Sequence, residues 1–336
     1  MNASSSTRAL PCSRGPLSRH VIRLLQGQRT WAPQVELIAD PLVDDDLQLA
    51  LYLCYELHYR SFPGVSDELE WDVTLLAFRA ELERAFVTRL LEESAGLPGS
   101  QSLEGELTDL IGSAEGPSLS SYLKEEGSLE EMREFAIHRS AYQRKEADPH
   151  TWAIPRLDGP AKAALIRIQA DEYGFGNYEE MHQHLFGITM RELGLDPTYG
   201  AYLERLPGST LAAVNVISLF GLHRGWRGAL VGHLTVFEMT SVVPMARYSA
   251  ALARLGMSEA ARRFYDVHIA VDAEHEKIAL NDMAGALARQ DAALGKDILF
   301  GARAALAVED RQAQHLLDCW TEGASSLRPL ASSVAA

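Results

Sequence analysis

Cysteine is scarce in this chain. Cys12, Cys54 and Cys319 are the only three in 336 residues, far apart and without a Cys-x-x-Cys pair. Neither a disulfide framework nor a thiolate metal site is indicated, and a reduced, cytoplasmic setting is expected. Long apolar runs are missing as well. None approaches the ~20 residues of a membrane-spanning helix, so no membrane association is expected. Positive charge is in deficit, with 31 Lys and Arg against 46 Asp and Glu, for a formal net charge of −15. A surface of that sign argues against nucleic acid or an anionic membrane as the main partner. Strand-like alternation is rare, and there is no internal repeat and no glycine-rich phosphate loop.

What remains is helical patterning in a chain that is 47% apolar, enough for a sizeable core. The first thirty residues hold five arginines and no acid, without the continuous apolar stretch of a secretory signal. Residues 1–33 are read as a flexible arm. The competing expectation is a short helix docked through Val21, Leu24 and Leu25. Helical spacing recurs over 44–59, 68–93, 129–144, 161–172, 178–193, 210–239, 258–289 and 295–323. Residues 94–118, rich in Gly, Ser and acid, read as a loop or a weakly ordered excursion. Pro244 is expected to end the run that starts at 210. The fold class is therefore all-α, a helical bundle with its sites built from inward-facing side chains.

The stretch YDVHIAVDAEHEK (265–277) raises the functional question. At about 100° per residue, offsets of four and seven return to nearly the same direction, so His268, Asp272 and His275 share a stripe with Phe264, Val271 and Ala279. An unpaired carboxylate is expensive on such an inward face. Asp272 could instead pair with Lys277 or Arg263 at the surface. Glu238 also lies on an apolar face, that of Val231 and Leu234, where a cation would balance it. His182 falls on a stripe with Tyr178, Leu185 and Phe186. Two acids could join it. Glu179 makes Glu-x-x-His, while Glu172 could fold back across the Gly174–Gly176 break. Spacing alone does not choose between them. Three carboxylates and three imidazoles suit two iron ions better than zinc.

The stretches KEADPHTWAIPRL (145–157), DEYGFGNYEEMHQHLF (171–186), LFGLHRGWRGALVGHLTVFEMTS (219–241) and HIAVDAEH (268–275) together resemble the heme-oxygenase-like di-iron oxidases, described generally as iron-containing redox enzymes. DLQLALYLCYELHYRSF (46–62) is similar to that family's opening helices. The resemblance implies a heme-oxygenase-like seven-helix bundle with additional N-terminal helices over residues 34–330. It implies a metal set of Glu172, His182, Glu238, His268, Asp272 and His275, with Glu-x9-His selecting Glu172 over Glu179. It also implies that Glu146 is a further carboxylate that joins the iron when dioxygen is present. Read from the residues alone, Glu146 is a helix-end acid.

The activity implied is that of a non-heme di-iron oxygenase with O2 as co-substrate. Glu172 and His182 would hold one ion, His268, Asp272 and His275 the other, and Glu238 would bridge. The subgroup resembled N-oxygenates an amine, guanidine or aminoazole nitrogen in natural-product biosynthesis. Oxidative C–C cleavage or decarboxylation of a fatty or amino acid is the alternative, and a ferroxidase or iron-binding protein without organic substrate is a second. The partners implied are a small-molecule substrate and an external electron donor, since no reductase or ferredoxin segment is present. The resemblance also allows a homodimer.

Overall fold

The computed structural model describes all residues except 1–9, 29, 36–37, 96–101, 114–115, 117 and 331–336. Among the described residues there are helices and no strand, as the patterning predicts. The first is α1 (Pro16–Leu25), inside the stretch expected to be a flexible arm. It buries Leu17, Val21, Ile22 and Leu25. Asp46 receives the backbone N–H groups of Leu17 and Ser18, at 2.8 Å each. This is the competing expectation, a short docked helix; its cap comes from 28 residues away, so local sequence alone does not decide between helix and arm. The expectation of flexibility is thus corrected for residues 16–25, while residues 1–9 lie outside the described part.

Asp44 caps α2 (Asp45–Glu56), a helix buried along nearly its whole length. A 3-10 turn at Asp67–Trp71 precedes α3 (Val73–Glu93), capped by Asp72. The excursion expected at 94–118 contains a real helix, α4 (Leu103–Gly112), capped by Ser102 and anchored by the buried Leu107. Then come α5 (Leu119–Glu125) and α6 (Leu129–Gln143), the latter opened by a reciprocal Ser128–Glu131 capping box. A sharp corner leads to the short α7 (Asp148–Thr151), and α8 (Gly159–Glu172) follows. The break after it holds Gly174 at φ 57° and Phe175 at φ 50°. The chain resumes as α9 (His182–Glu192).

The run expected at 210–239 is two helices, α10 (Gly208–Leu222) and α11 (Arg227–Thr240). Pro244 does not stop the chain. It lies in the first turn of a further helix, α12 (Val242–Arg254), where its missing N–H has no intrahelical role. Ser258 caps α13 (Glu259–Lys277), which runs through a π-helical stretch at Ile278–Gly285 into α14 (Ala286–Gln290). The last helix is α15 (Leu294–Thr321). Among the described residues no single helix is long and apolar enough to cross a membrane; one bent pair, Arg224–Thr240 with Val242–Arg254, passes by length and composition only.

Two helices hold the centre. α11 and α15 pack backbone to backbone because glycines face each other's chain. A Cβ at Gly232 would collide with the Ile298 carbonyl, and one at Gly301 with that of Ala229. The expected result of Gly301→Ala is a loss of about 1–3 kcal/mol, the usual range for overpacking. Thermal unfolding measures it; an unchanged midpoint would rule out this close approach.

A second tie closes the C-terminal end. His138 of α6 is buried between Thr210 Oγ1 at 2.7 Å and Ser326 Oγ at 3.0 Å. Burial first, then the nearby His315, hold its imidazole down to about 3. An unfolded histidine titrates near ~6.5. Between those values the unfolded chain binds the proton and the folded chain does not, so stability rises with pH there. His138 therefore contributes fully above ~6.5, and its contribution is lost as pH falls toward about 3. The unfolding midpoint of the ion-free protein should drop from pH 7 to pH 5. His138→Gln should flatten that slope, and equal slopes would exclude this role.

Candidate metal centre

Seven buried side chains converge from five places in the chain. Glu146 sits in the corner between α6 and α7, Glu172 is the last residue of α8, and His182 is the first of α9. Glu238 comes from the last turn of α11, and His268, Asp272 and His275 come from α13. All seven are buried. Glu179 is elsewhere, its side chain 72% exposed beside His184 at 3.3 Å. Arg263 pairs with Glu180 at 2.7 Å at the surface and leaves Asp272 inside.

Single donor atoms of Glu146, Glu172, His182 and His268 lie within 4.8 Å of one another. Those of Glu172, Asp272 and His275 do the same. Glu238 Oε2 stands 3.3 Å from His275 Nδ1, which joins it to the second group. Glu172 belongs to both groups. The expected partition, with His268 beside Asp272 and His275, is not what the geometry gives. Seven residues of helix rise by about 10 Å, too far for one ion to reach both histidines. His268 therefore stands with His182, their rings 4.2 Å apart.

The cluster is short of hydrogen bonds. Glu146 Oε2, Glu172 Oε2, His182 Nδ1, Asp272 Oδ1 and His275 Nδ1 are buried without a hydrogen-bond partner. His182 Nδ1 and Glu172 Oε2 are 2.8 Å apart yet not aligned as donor and acceptor. Each such orphan costs about 1–3 kcal/mol if nothing compensates it. Burial raises the carboxyls of Glu146, Glu172 and Glu238 above their ordinary range, and pushes Asp272 up to about 7. It opposes charge on His268 too, but the neighbouring Glu146 carboxylate prevails and brings it to about 10. His275 reaches about 9 in the same way, through Glu238. His182, desolvated and beside His268, falls to about 3. Carboxylates and imidazoles without thiolate are a donor set for iron, and the orphaned atoms are the ones a cation would satisfy.

Neighbouring groups fix which ring nitrogen faces inward. His268 Nδ1 meets the Phe264 carbonyl at 2.7 Å and leaves Nε2 toward Glu146, 3.7 Å away. His275 Nε2 meets Asp171 Oδ2 at 2.9 Å, which turns Nδ1 toward Glu238. Sequence reasoning assigned Asp171 no role. Its signal was there, an acid adjacent to Glu172 and just before the break that folds the chain back.

A cavity of about 430 Å³ opens on one side of the cluster. One face of α6 lines it with Phe135, Arg139 and Tyr142, and the corner that follows adds Glu146; Phe237 and Tyr248 line it from α11 and α12. Within it Arg139 Nη1 donates to Glu309 Oε2 at 2.8 Å.

These features define a buried, carboxylate-rich centre with a substrate-sized cavity in an all-helical frame. The sequence pattern of the iron-containing redox enzyme family matches residues 133–310, more than half the chain and all seven residues, and the protein belongs to that family. Membership makes it an iron-containing redox enzyme, an oxidoreductase. Among curated proteins it is similar to a nitrosourea synthase of Streptomyces achromogenes subsp. streptozoticus, 25% identical over 191 residues. The match covers 56% of this chain and 40% of that protein.

Asp171→Asn should weaken ferrous-ion binding about 10- to 100-fold, the usual effect of losing the carboxylate behind a metal-binding histidine. The unfolding midpoint of the ion-free variant should change little. Anaerobic titration checks this, and an unchanged affinity would remove Asp171 from the site.

Proposed function

We propose that this protein is a non-heme di-iron oxygenase that uses O2 to oxygenate a nitrogen of a small amine, guanidine or aminoazole in natural-product biosynthesis. The observation that carries the two-iron reading is the pair of ligand groups sharing Glu172, with more donors than one ion needs. His182 and His268, with Glu146 and Glu172, would hold one iron. Asp272, His275 and Glu238, with Glu172, would hold the other. Iron bound there supplies electrons to dioxygen and acts as a Lewis acid.

The chain's own residues do the rest. Phe264 and Asp171 keep the imidazoles of His268 and His275 in the right tautomer. The aromatic walls of Phe135, Tyr142, Phe237 and Tyr248 limit water around the reacting atoms and leave room for a small organic molecule. That cavity favours substrate oxidation over simple iron oxidation. N-oxygenation, rather than C–C cleavage of an acid, draws its support from the name of the nitrosourea synthase that this chain resembles. An external electron donor would supply the reducing equivalents that such a centre needs.

Anaerobic ferrous titration should give two irons per chain. Mixing the loaded protein with O2 and a panel of amines, guanidines, aminoazoles and carboxylic acids should give N-oxidised products by mass spectrometry. Cleavage of acids alone would overturn the N-oxygenase reading. Iron turnover that ignores every substrate would mean a ferroxidase. Binding of one iron or none would sink the dinuclear site.

A further inference from the structure

Glu146 reaches the cluster from a corner, not from a helix face. The residue before it points the other way. Lys145 is 1% exposed, with Nζ 3.2 Å from Glu56 Oε2 of α2. Glu56 is likewise 1% exposed, and the Tyr199 hydroxyl donates to the same Oε2 at 2.8 Å. The Lys145 ammonium also lies 4.2 Å from the Tyr59 ring centre and 5.1 Å from that of Tyr52. A lysine charge seated so deeply has no other place to go, because leaving this box would strip it of its counter-charge and its aromatic faces.

The backbone joins this box directly to the centre. Lys145 N–H donates to the Tyr142 carbonyl at 2.8 Å, and the Lys145 carbonyl accepts from Asp148 N–H at 3.1 Å. Ala147 sits at φ 71°, ψ −30°, a conformation that L-residues avoid. Its carbonyl accepts from Gln169 Nε2 and Thr151 Oγ1, each at 3.1 Å. The strained turn is thus clamped behind Glu146 by α7 and α8, and in front of it by Lys145.

We propose that Lys145, held by Glu56, is a positioning residue for Glu146. Its buried ion pair to α2 fixes the corner that aims the Glu146 carboxylate at His268 and Glu172. The inference rests on the reading of Glu146 as an iron ligand.

The test is a double-mutant cycle on the full chain, using Co2+ as a spectroscopic stand-in for ferrous ion. Affinity and ligand-field absorption are measured for wild type, Lys145→Met, Glu146→Gln and the double variant. Lys145→Met should weaken binding of one of two Co2+ ions tenfold or more and change its absorption. In the Glu146→Gln background the same change should cost less than twofold, since the group it positions is gone. An equal loss in both backgrounds would overturn the proposal and make the ion pair merely structural. If Glu146→Gln alone leaves Co2+ binding untouched, Glu146 is not a ligand and the inference falls with it. Two-ion stoichiometry in that variant would still leave the other six residues as a dinuclear site. Should Lys145→Met fail to fold, Glu56→Gln replaces it in the cycle with the same outcomes, as it keeps the shape of Glu56 and removes its charge.

Discussion

Four carboxyl groups and three imidazoles share one buried volume, and the rest of the fold answers to that. Placed in an apolar interior, such groups repel, shift their protonation and leave polar atoms unpaired. The orphaned atoms of Glu146, Glu172, His182, Asp272 and His275 record the strain directly. A bundle would not gather them for stability's sake. The arrangement makes sense as a site that is incomplete without cations, and that need explains where the helices stop.

Three of the seven residues lie at helix breaks. Glu172 ends α8, His182 begins α9, and Glu146 occupies the corner after α6. A helix interior offers only the directions its period allows, whereas a break can aim a side chain freely. The price is backbone strain, seen in the positive φ values of Ala147 and Phe175. The remaining ligands sit within α11 and α13, whose regular faces fix their spacing. The close packing of α11 on α15 through Gly232 and Gly301 carries Glu238 to its depth. So the rigid part of the site comes from long helices and the finely directed part from corners.

That division also decides what could be read from the sequence. The stripe of His268, Asp272 and His275 and the inward Glu238 were legible, because a buried acid at helical spacing contradicts its own face. Glu146 was visible only through family resemblance, since nothing in a corner has a period. The choice of Glu172 over Glu179 is legible only through the Glu-x9-His spacing of the family resembled, because the fold-back at Gly174 is a tertiary fact. Asp171 was hidden because an acid behind a histidine looks like any surface acid. The sorting of His268 failed for a different reason. Sharing a stripe is not sharing an ion, because the helix rises about 10 Å between His268 and His275. Pro244 does mark the end of the run before it, but a proline that starts a helix and one that ends it look alike until the neighbouring cap is known, so α12 is not legible.

The placement of the cavity follows from the same geometry. Behind the cluster Asp171, His182 and the Phe264 carbonyl, from α8, α9 and α13, meet its imidazoles. On the other side α6, α11 and α12 stand apart and leave the space lined by Tyr142, Phe237 and Tyr248. Glu146, Glu172, Glu238, His268 and Asp272 are at the boundary, buried within the cluster and also lining the cavity. A carboxylate there has two neighbours to serve, the ion behind it and the molecule in front. The α6 corner therefore belongs to the metal centre and to the substrate wall at once. A corner with both duties must be held from outside the site, and the buried contact of Lys145 with α2 is built where that support is required.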